Sequence, residues 1–121
     1  MTLNEYNRFC KSLKHSTHVV QWGDAHVWKI GGKVYAIAGW SDGEELAVTF
    51  KCSDTAFEVM QDAEGVRPAP YLASRGMKWL QRTREAAISD KDLKDYLRES
   101  YSLAAANLTK KLQKELGLMA G

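Results

Sequence analysis

Short runs of β-branched and aromatic residues, separated by tight turn signals, occupy residues 19–51 and constrain the fold of this chain more than any other feature. The runs are bounded by Gly23-Asp24, Gly31-Gly32 and Asp42-Gly43, which are dipeptides typical of turns. Connections this short cannot contain a crossover, so the strands that they join must be antiparallel. We therefore predict strands over residues 19–22, 26–30, 33–40 and 46–51, with Gly31-Gly32 as a two-residue hairpin turn.

Period-two alternation in the hairpin over residues 26–40 separates two sets of side chains. The first set is Trp28, Ile30, Val34, Ala36 and Ala38, and the second set is Lys29, Lys33, Tyr35 and Ile37. Because successive side chains in a strand point to opposite sides, we expect each set to share one face of the sheet.

Helix signals flank the predicted strands. The cap signals are the capping box of Thr2 and Glu5, Ser53 or Asp54, the cluster Ser89-Asp90-Lys91-Asp92, and Thr109. The first helix should span residues 3–14, the second should end at Gly65, and a short last helix should reach Leu116. Prolines at 68 and 70 predict an extended, irregular segment. Residues 77–83 predict a last strand, in which Trp79 and Gln81 alternate with Lys78, Leu80 and Arg82.

Strands that are grouped before helices indicate the α+β class. We predict an antiparallel sheet of about five strands with helices packed on one face, in the order α-β-β-β-β-α-β-α(-α). The length of 121 residues suits a single domain over residues 1–121.

The charge of the chain is unevenly distributed, although its net value is only +2. Residues 42–64 carry acids and a single base, Lys51, whereas the charged residues of 67–84 are all basic: Arg67, Arg75, Lys78, Arg82 and Arg84. We expect Cys10 and Cys52 to be buried, reduced thiols of a cytoplasmic protein. No apolar run approaches the ~18 residues that a membrane span needs.

The pentapeptide GWSDG, at residues 39–43, matches the G-x-S-x-G pattern of serine hydrolases. A nucleophile elbow requires a helix directly after the serine, but the residues that follow Ser41 predict a strand. All three histidines precede Ser41, whereas hydrolases of that fold place the histidine last. We therefore interpret GWSDG as a turn. We assign no catalytic, metal-binding or cofactor-binding residues and predict no enzyme.

Five segments between residues 22 and 116 carry a more specific pattern: HVWKIGGKVYAIAGW, VTFKCS, GVRPAPYL, KWLQ and LRESYSLAAANLTKKLQ. The W-K-x-x-G-K hairpin, the PAPYL segment and the pair Ser100-Tyr101 are the most distinctive of these pieces. Together they resemble the MmcQ/YjbR family. The resemblance implies a small α+β fold similar to that of CyaY and frataxin, and a DNA-binding role attributed to a double-wing arrangement of β-hairpins.

In this chain the two wings would be the hairpins that turn at Gly31-Gly32 and at Asp42-Gly43. Basic side chains on the first suit phosphate, whereas acids on the second, including Glu44 and Glu45, would repel it. We expect weak and largely non-specific DNA binding, because phosphate contacts carry no sequence information. The residues expected to neutralise phosphates are Lys29, Lys33, Arg75, Lys78 and Arg82, with Lys51 and Arg67 as further contributors. Trp28 or Trp79 would stack on exposed bases.

Two alternatives remain open from the sequence. The chain could be a non-catalytic module that binds a protein or peptide, since the acidic residues 42–64 suit a basic partner. It could also carry a small ligand or an unrecognised active site near Ser100 and Tyr101. We expect a monomer or weak dimer with no cofactor.

Overall fold

The structure, a computed structural model, describes residues 1–41, 43–72 and 76–118 of the chain. Within these ranges it contains ten helices and strands, in the predicted order with one strand more. The elements are α1 (Leu3–Ser12), β1 (Ser16–Gln21), β2 (Ala25–Ile30), β3 (Lys33–Ala38), β4 (Val48–Lys51), α2 (Asp54–Met60), β5 (Val66–Pro68), β6 (Trp79–Arg82), α3 (Asp90–Ala106) and α4 (Lys110–Glu115).

The helices begin at the predicted caps. Each described helix is preceded by a cap residue whose side-chain oxygen accepts a backbone N–H of the first turn. These cap residues are Thr2, Ser53, Ser89 and Thr109. α1 ends at Ser12 rather than at residue 14, because the backbone of Leu13 is extended. None of the helices in the described ranges has the length and apolar character that a bilayer span requires.

The strands form one antiparallel sheet in the order β1-β2-β3-β4-β6-β5. This arrangement confirms the α+β class with helices packed on one face. The sheet has six described strands rather than about five, because residues 66–68 pair with β6 instead of forming an irregular segment. β5 is an edge strand with no neighbour on its outer side among the described strands. Pro68, which has no backbone N–H to donate, is therefore tolerated in it.

The chain leaves the sheet earlier than predicted around residues 39–47. Gly39 has a φ of 143° and Trp40 a φ of 55°, so β3 ends at Ala38. β4 begins only at Val48. In contrast, β1 begins at Ser16 rather than at residue 19, because it pairs with β2 along its whole length.

Two rows of paired residues cross the sheet and define its faces. The first row lies against the helices, on what we call the helix face, and contains His18, Trp28, Ala36, Phe50, Leu80 and Pro68. The second row lies on the opposite face, called the back face, and contains Val19, Val27, Ile37, Thr49, Gln81 and Arg67. Because side chains alternate, the paired residues Lys51 and Trp79 also point to the back face.

A β-bulge in the central hairpin changes the predicted pattern. Tyr35 has no partner on β2, because the pairing shifts between Trp28 and Lys29. The extra residue places Tyr35 in the helix-face core and Val34 beside Ile37 on the back face. The alternation had placed Tyr35 with Ile37 and Val34 with Trp28, and both assignments are wrong for this reason.

The main core lies between the helix face and the described helices. α1 contributes Tyr6 and Cys10 and α3 contributes Leu93 and Leu97, all fully buried. Each large apolar side chain buried in this way stabilises the fold by about 1.5–3 kcal/mol. Cys10 and Cys52 are buried and free, as predicted. Burial raises the pKa of the Cys10 thiol to about 12, which keeps it protonated at neutral pH.

A smaller core covers the centre of the back face. Ala25, Val27 and Ile37 are fully buried there, with Trp40 and Leu72 packed against them. Leu72 comes from the loop that follows β5. The back face is therefore sealed at its centre and accessible along its flanks.

Candidate functional site

The strands of the sheet carry positive charge with no negative charge among them. Within the described strands no residue is Asp or Glu, whereas the basic residues are Lys29, Lys33, Lys51, Arg67 and Arg82. The acidic side chains of the chain lie outside the described strands. An accessible sheet surface of this composition attracts anions.

A groove of about 510 Å³ runs along the back face and reaches the C-terminal end of α3 at the end of the sheet. Its apolar lining consists of Trp22, Val34, Ile37, Leu72, Met77, Trp79 and Ala104, and its polar lining of Lys33, Lys51 and Asn107. Lys33 begins β3 and Lys51 ends β4, and these strands are antiparallel neighbours. Both residues therefore lie at the same end of the sheet and line the groove there, so the groove combines an apolar body with a cationic end.

Three aromatic rings form a shelf beside this groove. The aromatic shelf consists of Trp22, Trp40 and Tyr71. The ring centroids of Trp22 and Trp40 are 6.0 Å apart, and those of Trp40 and Tyr71 are 5.3 Å apart with an angle of 79° between the planes. Trp22 is 51% exposed and Tyr71 is 70% exposed. With Gly23 and Leu72 the three rings line a second depression of about 640 Å³.

The backbone of the shelf adopts an uncommon conformation. The φ angles of Trp22, Trp40 and Tyr71 are 55°, 55° and 68°, in the left-handed region. This region costs an L-residue roughly 1–2 kcal/mol, and such strain concentrates at functional sites. Nε1 of Trp40 donates to the carbonyl oxygen of Trp22 at 3.2 Å. Arg67 and Gln81 both donate to the carbonyl oxygen of Trp40, at 3.3 and 3.4 Å. These contacts hold the rings in a fixed arrangement.

Trp79 supplies an unused hydrogen-bond donor next to the groove. Its indole ring lines the groove and is only 4% exposed. Nε1 has no acceptor in the part of the chain that the structure describes. A buried donor without a partner costs about 1–3 kcal/mol.

Three of the predicted DNA-binding residues lie on the back face or at the end of the sheet beside it. Lys33 and Trp79 line the groove. Lys29 pairs with Thr17 and Val34 on the same face, outside the groove. Lys29 and Trp79 thus share the back face, whereas Lys33 pairs with Ile30 and points to the helix side at the first residue of β3. Trp79 is too deeply buried to form an open stacking surface.

Arg82 is not at the surface, contrary to the prediction. It is fully buried on the helix face, where Nη1 donates to the carbonyl oxygen of Ile88 at 2.8 Å and pairs with Asp90 at 3.1 Å. Asp90 also accepts from the amino group of Met1. Burial alone would raise the pKa of Asp90, but the hydrogen bonds and positive charges of Met1 and Arg82 lower it overall. This guanidinium cannot contact a phosphate.

Two other predicted residues, Trp28 and Lys78, are not among the residues that line the groove. Trp28 is buried on the helix face, where Nε1 donates to Oδ1 of Asn7 at 3.0 Å, so its ring cannot stack on a base. Nζ of Lys78 lies 4.8 Å from the ring centroid of Phe57 in α2. Arg75 lies outside the described residues.

The first predicted wing is docked onto the helices. Gly31 and Gly32 have φ angles of 56° and 84°, as a two-residue hairpin turn requires. A Cβ atom at Gly31 would lie 2.7 Å from Cδ1 of Leu108 and 3.2 Å from Cδ2 of Leu112. The tip therefore packs against the junction of α3 and α4 instead of projecting into solvent.

The second predicted wing is held by one hydrogen bond within its turn and one to the rest of the chain. Oγ of Ser41 accepts the backbone N–H of Ala47 at 3.1 Å, which closes the turn and gives this serine a structural role. Oε1 of Glu45 accepts the backbone N–H of Glu85 at 3.1 Å. Asp42 lies outside the described residues.

Ser100 and Tyr101 both make structural contacts. Ser100 is fully buried between α3 and the sheet. The hydroxyl of Tyr101 donates to the carbonyl oxygen of Lys14 at 2.6 Å, and its ring meets that of Tyr35 edge-on at 5.4 Å. The two side chains fasten α3 to the sheet and to the segment after α1.

Two histidines interact on the helix face. Nε2 of His18 and Nδ1 of His26 lie 3.0 Å apart, and the ring of His18 stacks on Trp28 at 4.8 Å. In this contact one imidazole nitrogen donates and the other accepts. At least one of the two rings must therefore be neutral, because a protonated imidazole has no acceptor. Burial and the nearby His26 lower the pKa of His18.

The sequence did not identify the aromatic shelf. Its three rings come from the turn after β1, the turn after β3 and the loop after β5, so no single segment displays them. The signal that could have indicated them is the position of each aromatic residue next to a turn residue: Gly23 follows Trp22, Gly39 precedes Trp40 and Pro70 precedes Tyr71.

Two solved structures share this fold. The crystal structure of the Deinococcus radiodurans protein DR2400, which has a DUF419 domain, is 25% identical in sequence with a TM-score of 0.83, and the match covers 96% of this chain and 88% of that one. A protein from Pseudomonas syringae is 14% identical with a TM-score of 0.68, over 86% of this chain and 99% of that one. A search of curated proteins found no match.

An α+β fold with an antiparallel sheet that is covered by helices on one face is thus shared with a DUF419 protein. The model of the YjbR family matches residues 11–103. The chain belongs to the YjbR family, which confirms the resemblance seen in the sequence.

Proposed function

We propose that this protein binds single-stranded DNA, weakly and without sequence preference, through the back face of its sheet. The observation that carries this proposal is an exposed aromatic shelf beside Lys29 and Lys51 of the back face and Lys33 at the end of β3, on a sheet whose described strands contain no acid. Lysines next to aromatic rings are the combination that single-strand binding surfaces use.

The lysines supply the backbone contacts in this proposal. Lys33 is exposed, and Lys29 and Lys51 are half-buried, so all three retain access to solvent. Such groups pair with phosphates and release counterions, which provides affinity without reading the base sequence.

The shelf supplies base contacts that a duplex cannot use. Trp22 and Tyr71 expose large parts of their rings. Bases stack on aromatic rings only when they are unpaired, and each stacked base contributes about 1–3 kcal/mol. The Gly31 tip is docked against α3 and α4, so it is not free to act as one wing of a clamp. In this proposal the back face, rather than the hairpin tips, is the contact surface.

Fluorescence anisotropy of labelled oligo(dT) and of a matched duplex at low salt tests the proposal. The wild-type chain should bind the single strand more tightly than the duplex. Lys29→Gln/Lys33→Gln should weaken single-strand binding about tenfold, because each exposed ion pair contributes up to about 1 kcal/mol.

A matched control removes the same charge elsewhere. Lys91 and Lys110 are exposed residues of α3 and α4. Lys91→Gln/Lys110→Gln should leave affinity close to that of the wild type. Equal losses in the two double variants, or absence of oligo(dT) binding at low salt, would refute the proposal.

A second candidate function is the binding of an extended peptide at β1. β1 is an edge strand of six residues, and Val19 and Val20 are 36% and 48% exposed. Exposed edges accept an added strand through backbone hydrogen bonds. A stoichiometric partner lost with Val20→Lys but retained by Lys29→Gln/Lys33→Gln would favour this function over DNA binding.

A further inference from the structure

We propose that the back-face groove is a binding site for one small organic anion, made of a flat, largely apolar ring and a phosphate or carboxylate group. The proposal does not depend on strand binding, because a strand could contact the shelf and the lysines without entering the groove. Free metabolites and a single nucleotide of a strand share this chemistry.

The shape and lining of the groove select such a ligand. A volume of about 510 Å³ falls in the range of small-molecule sites. Val34, Ile37 and Leu72 provide aliphatic contacts, and the ring of Trp22 contributes an aromatic one. An apolar lining from strands and a packed loop accepts a ring more readily than a hydrated ion alone.

The charged end of the groove determines the sign of the ligand. Lys33 and Lys51 line it, and no described lining residue is acidic. Ammonium groups form charge-assisted hydrogen bonds with phosphate or carboxylate oxygens, and these bonds are stronger than neutral ones. The cationic end and the apolar lining of the groove together fit an amphipathic anion.

Trp79 adds a polar group that the fold leaves unused. Its ring lines the groove, and its buried Nε1 has no acceptor in the described ranges. Buried indole N–H groups usually find a partner. An acceptor oxygen or nitrogen on the bound ligand would provide one, and the indole N–H is also a resolved reporter for spectroscopy.

The test is an amide and indole N–H NMR titration of the full chain with three kinds of probe. They are 1-naphthyl phosphate, thymidine 5′-monophosphate and inorganic phosphate. We expect saturable shifts of the Trp79 indole N–H and the Lys51 amide with the first two probes. Inorganic phosphate should bind at least about tenfold more weakly, because it has no ring to bury.

Matched variants separate this site from the strand-binding surface. Lys51→Gln should weaken binding of 1-naphthyl phosphate about fivefold or more, whereas Lys29→Gln should not change it, because Lys29 lies outside the groove. Val34→Phe should obstruct the groove. The melting temperature of Val34→Phe shows whether this variant folds. If it does not fold, Trp79→Phe, which removes the indole N–H from the groove, is tested in its place.

Each outcome decides the proposal. Binding of the free probes with loss in Lys51→Gln supports a metabolite site, even if oligo(dT) does not bind at all. Groove shifts produced by oligo(dT) but not by free probes support a site for one nucleotide of a strand. The proposal is overturned if no probe or strand shifts the groove signals, if inorganic phosphate binds as well as the ring compounds, or if Lys29→Gln and Lys51→Gln weaken binding equally.

Discussion

Ser100, in the second half of α3, donates a hydrogen bond from its hydroxyl to the backbone carbonyl oxygen of Tyr35 at 2.6 Å. The same oxygen of Ser100 accepts the backbone N–H of Lys51 at 2.9 Å. β3 and β4 pair at Ala36 and Phe50, so the next pair along would be Tyr35 and Lys51. The serine hydroxyl therefore bridges the two strands at the bulge and fixes the backbone of a groove lysine.

We predict that Ser100→Ala destabilises the fold by about 2–4 kcal/mol. The substitution leaves the buried carbonyl of Tyr35 and the N–H of Lys51 without their partner, and each orphaned group costs about 1–3 kcal/mol. Urea denaturation followed by circular dichroism measures the loss. Ser102→Ala, at an exposed position of the same helix, should change stability by less than about 0.5 kcal/mol; similar losses in both variants would contradict the bridging role.

Two adjacent glycines should respond differently to substitution because only one is packed. Both have positive φ, which costs alanine about 1 kcal/mol. A Cβ at Gly31 also meets Leu108 at 2.7 Å, whereas a Cβ at Gly32 meets no atom within 4 Å. Gly31→Ala should therefore be less stable than Gly32→Ala by about 1 kcal/mol or more, measured by thermal unfolding. Equal stability of the two variants would mean that the hairpin tip is not docked.

Stability should fall as the pH drops through about 6.5, because of His18. Burial first, and the neighbouring His26 second, lower the folded-state pKa of His18 below its ordinary value of 6.5. The unfolded chain then binds more protons than the folded chain in the window below 6.5, so acid favours unfolding. His18→Gln should flatten the dependence of the urea midpoint on pH between about 5 and 7. A profile as steep as that of the wild type would assign the effect to other groups.

Arg82→Met should leave oligonucleotide binding unchanged. Arg82 is fully buried, so it has no access to a phosphate. Removing the guanidinium breaks its ion pair with Asp90 and lowers stability, but Asp90 is partly exposed and keeps its contact with the amino group of Met1, so we expect the variant to fold. Anisotropy of labelled oligo(dT), with a melting curve as the folding control, is the measurement. A folded variant with several-fold weaker binding would place Arg82 back in the binding surface.

Local patterns in the sequence were sufficient for the fold, and they failed where a distant residue intervenes. The turn dipeptides and caps located most of the strands and helices. The bulge at Tyr35 coincides with the hydroxyl of Ser100, which arrives from a helix far along the chain. Period-two alternation contains no information about such an insertion, so it placed Tyr35 on the wrong face.

The candidate site was predictable only in part, for a related reason. Alternation located Lys33 and Trp79 on strands, and both line the groove. Alternation also located Arg82 on a strand, but its burial depends on Asp90 and on the carbonyl of Ile88. The aromatic shelf requires turns from three separate segments to meet, and this contact exists only in the folded chain.

The salt dependence of oligo(dT) binding tests the central claim most directly. Each phosphate contact with a single strand contributes a slope of about −0.7 to the plot of log affinity against log salt concentration. If Lys33 and Lys51 contact phosphates, Lys33→Gln/Lys51→Gln should make the wild-type slope shallower by about 1.4 while the melting temperature stays close to that of the wild type. An unchanged slope in the folded double variant would show that Lys33 and Lys51 do not contact phosphates, which contradicts the proposed contact surface.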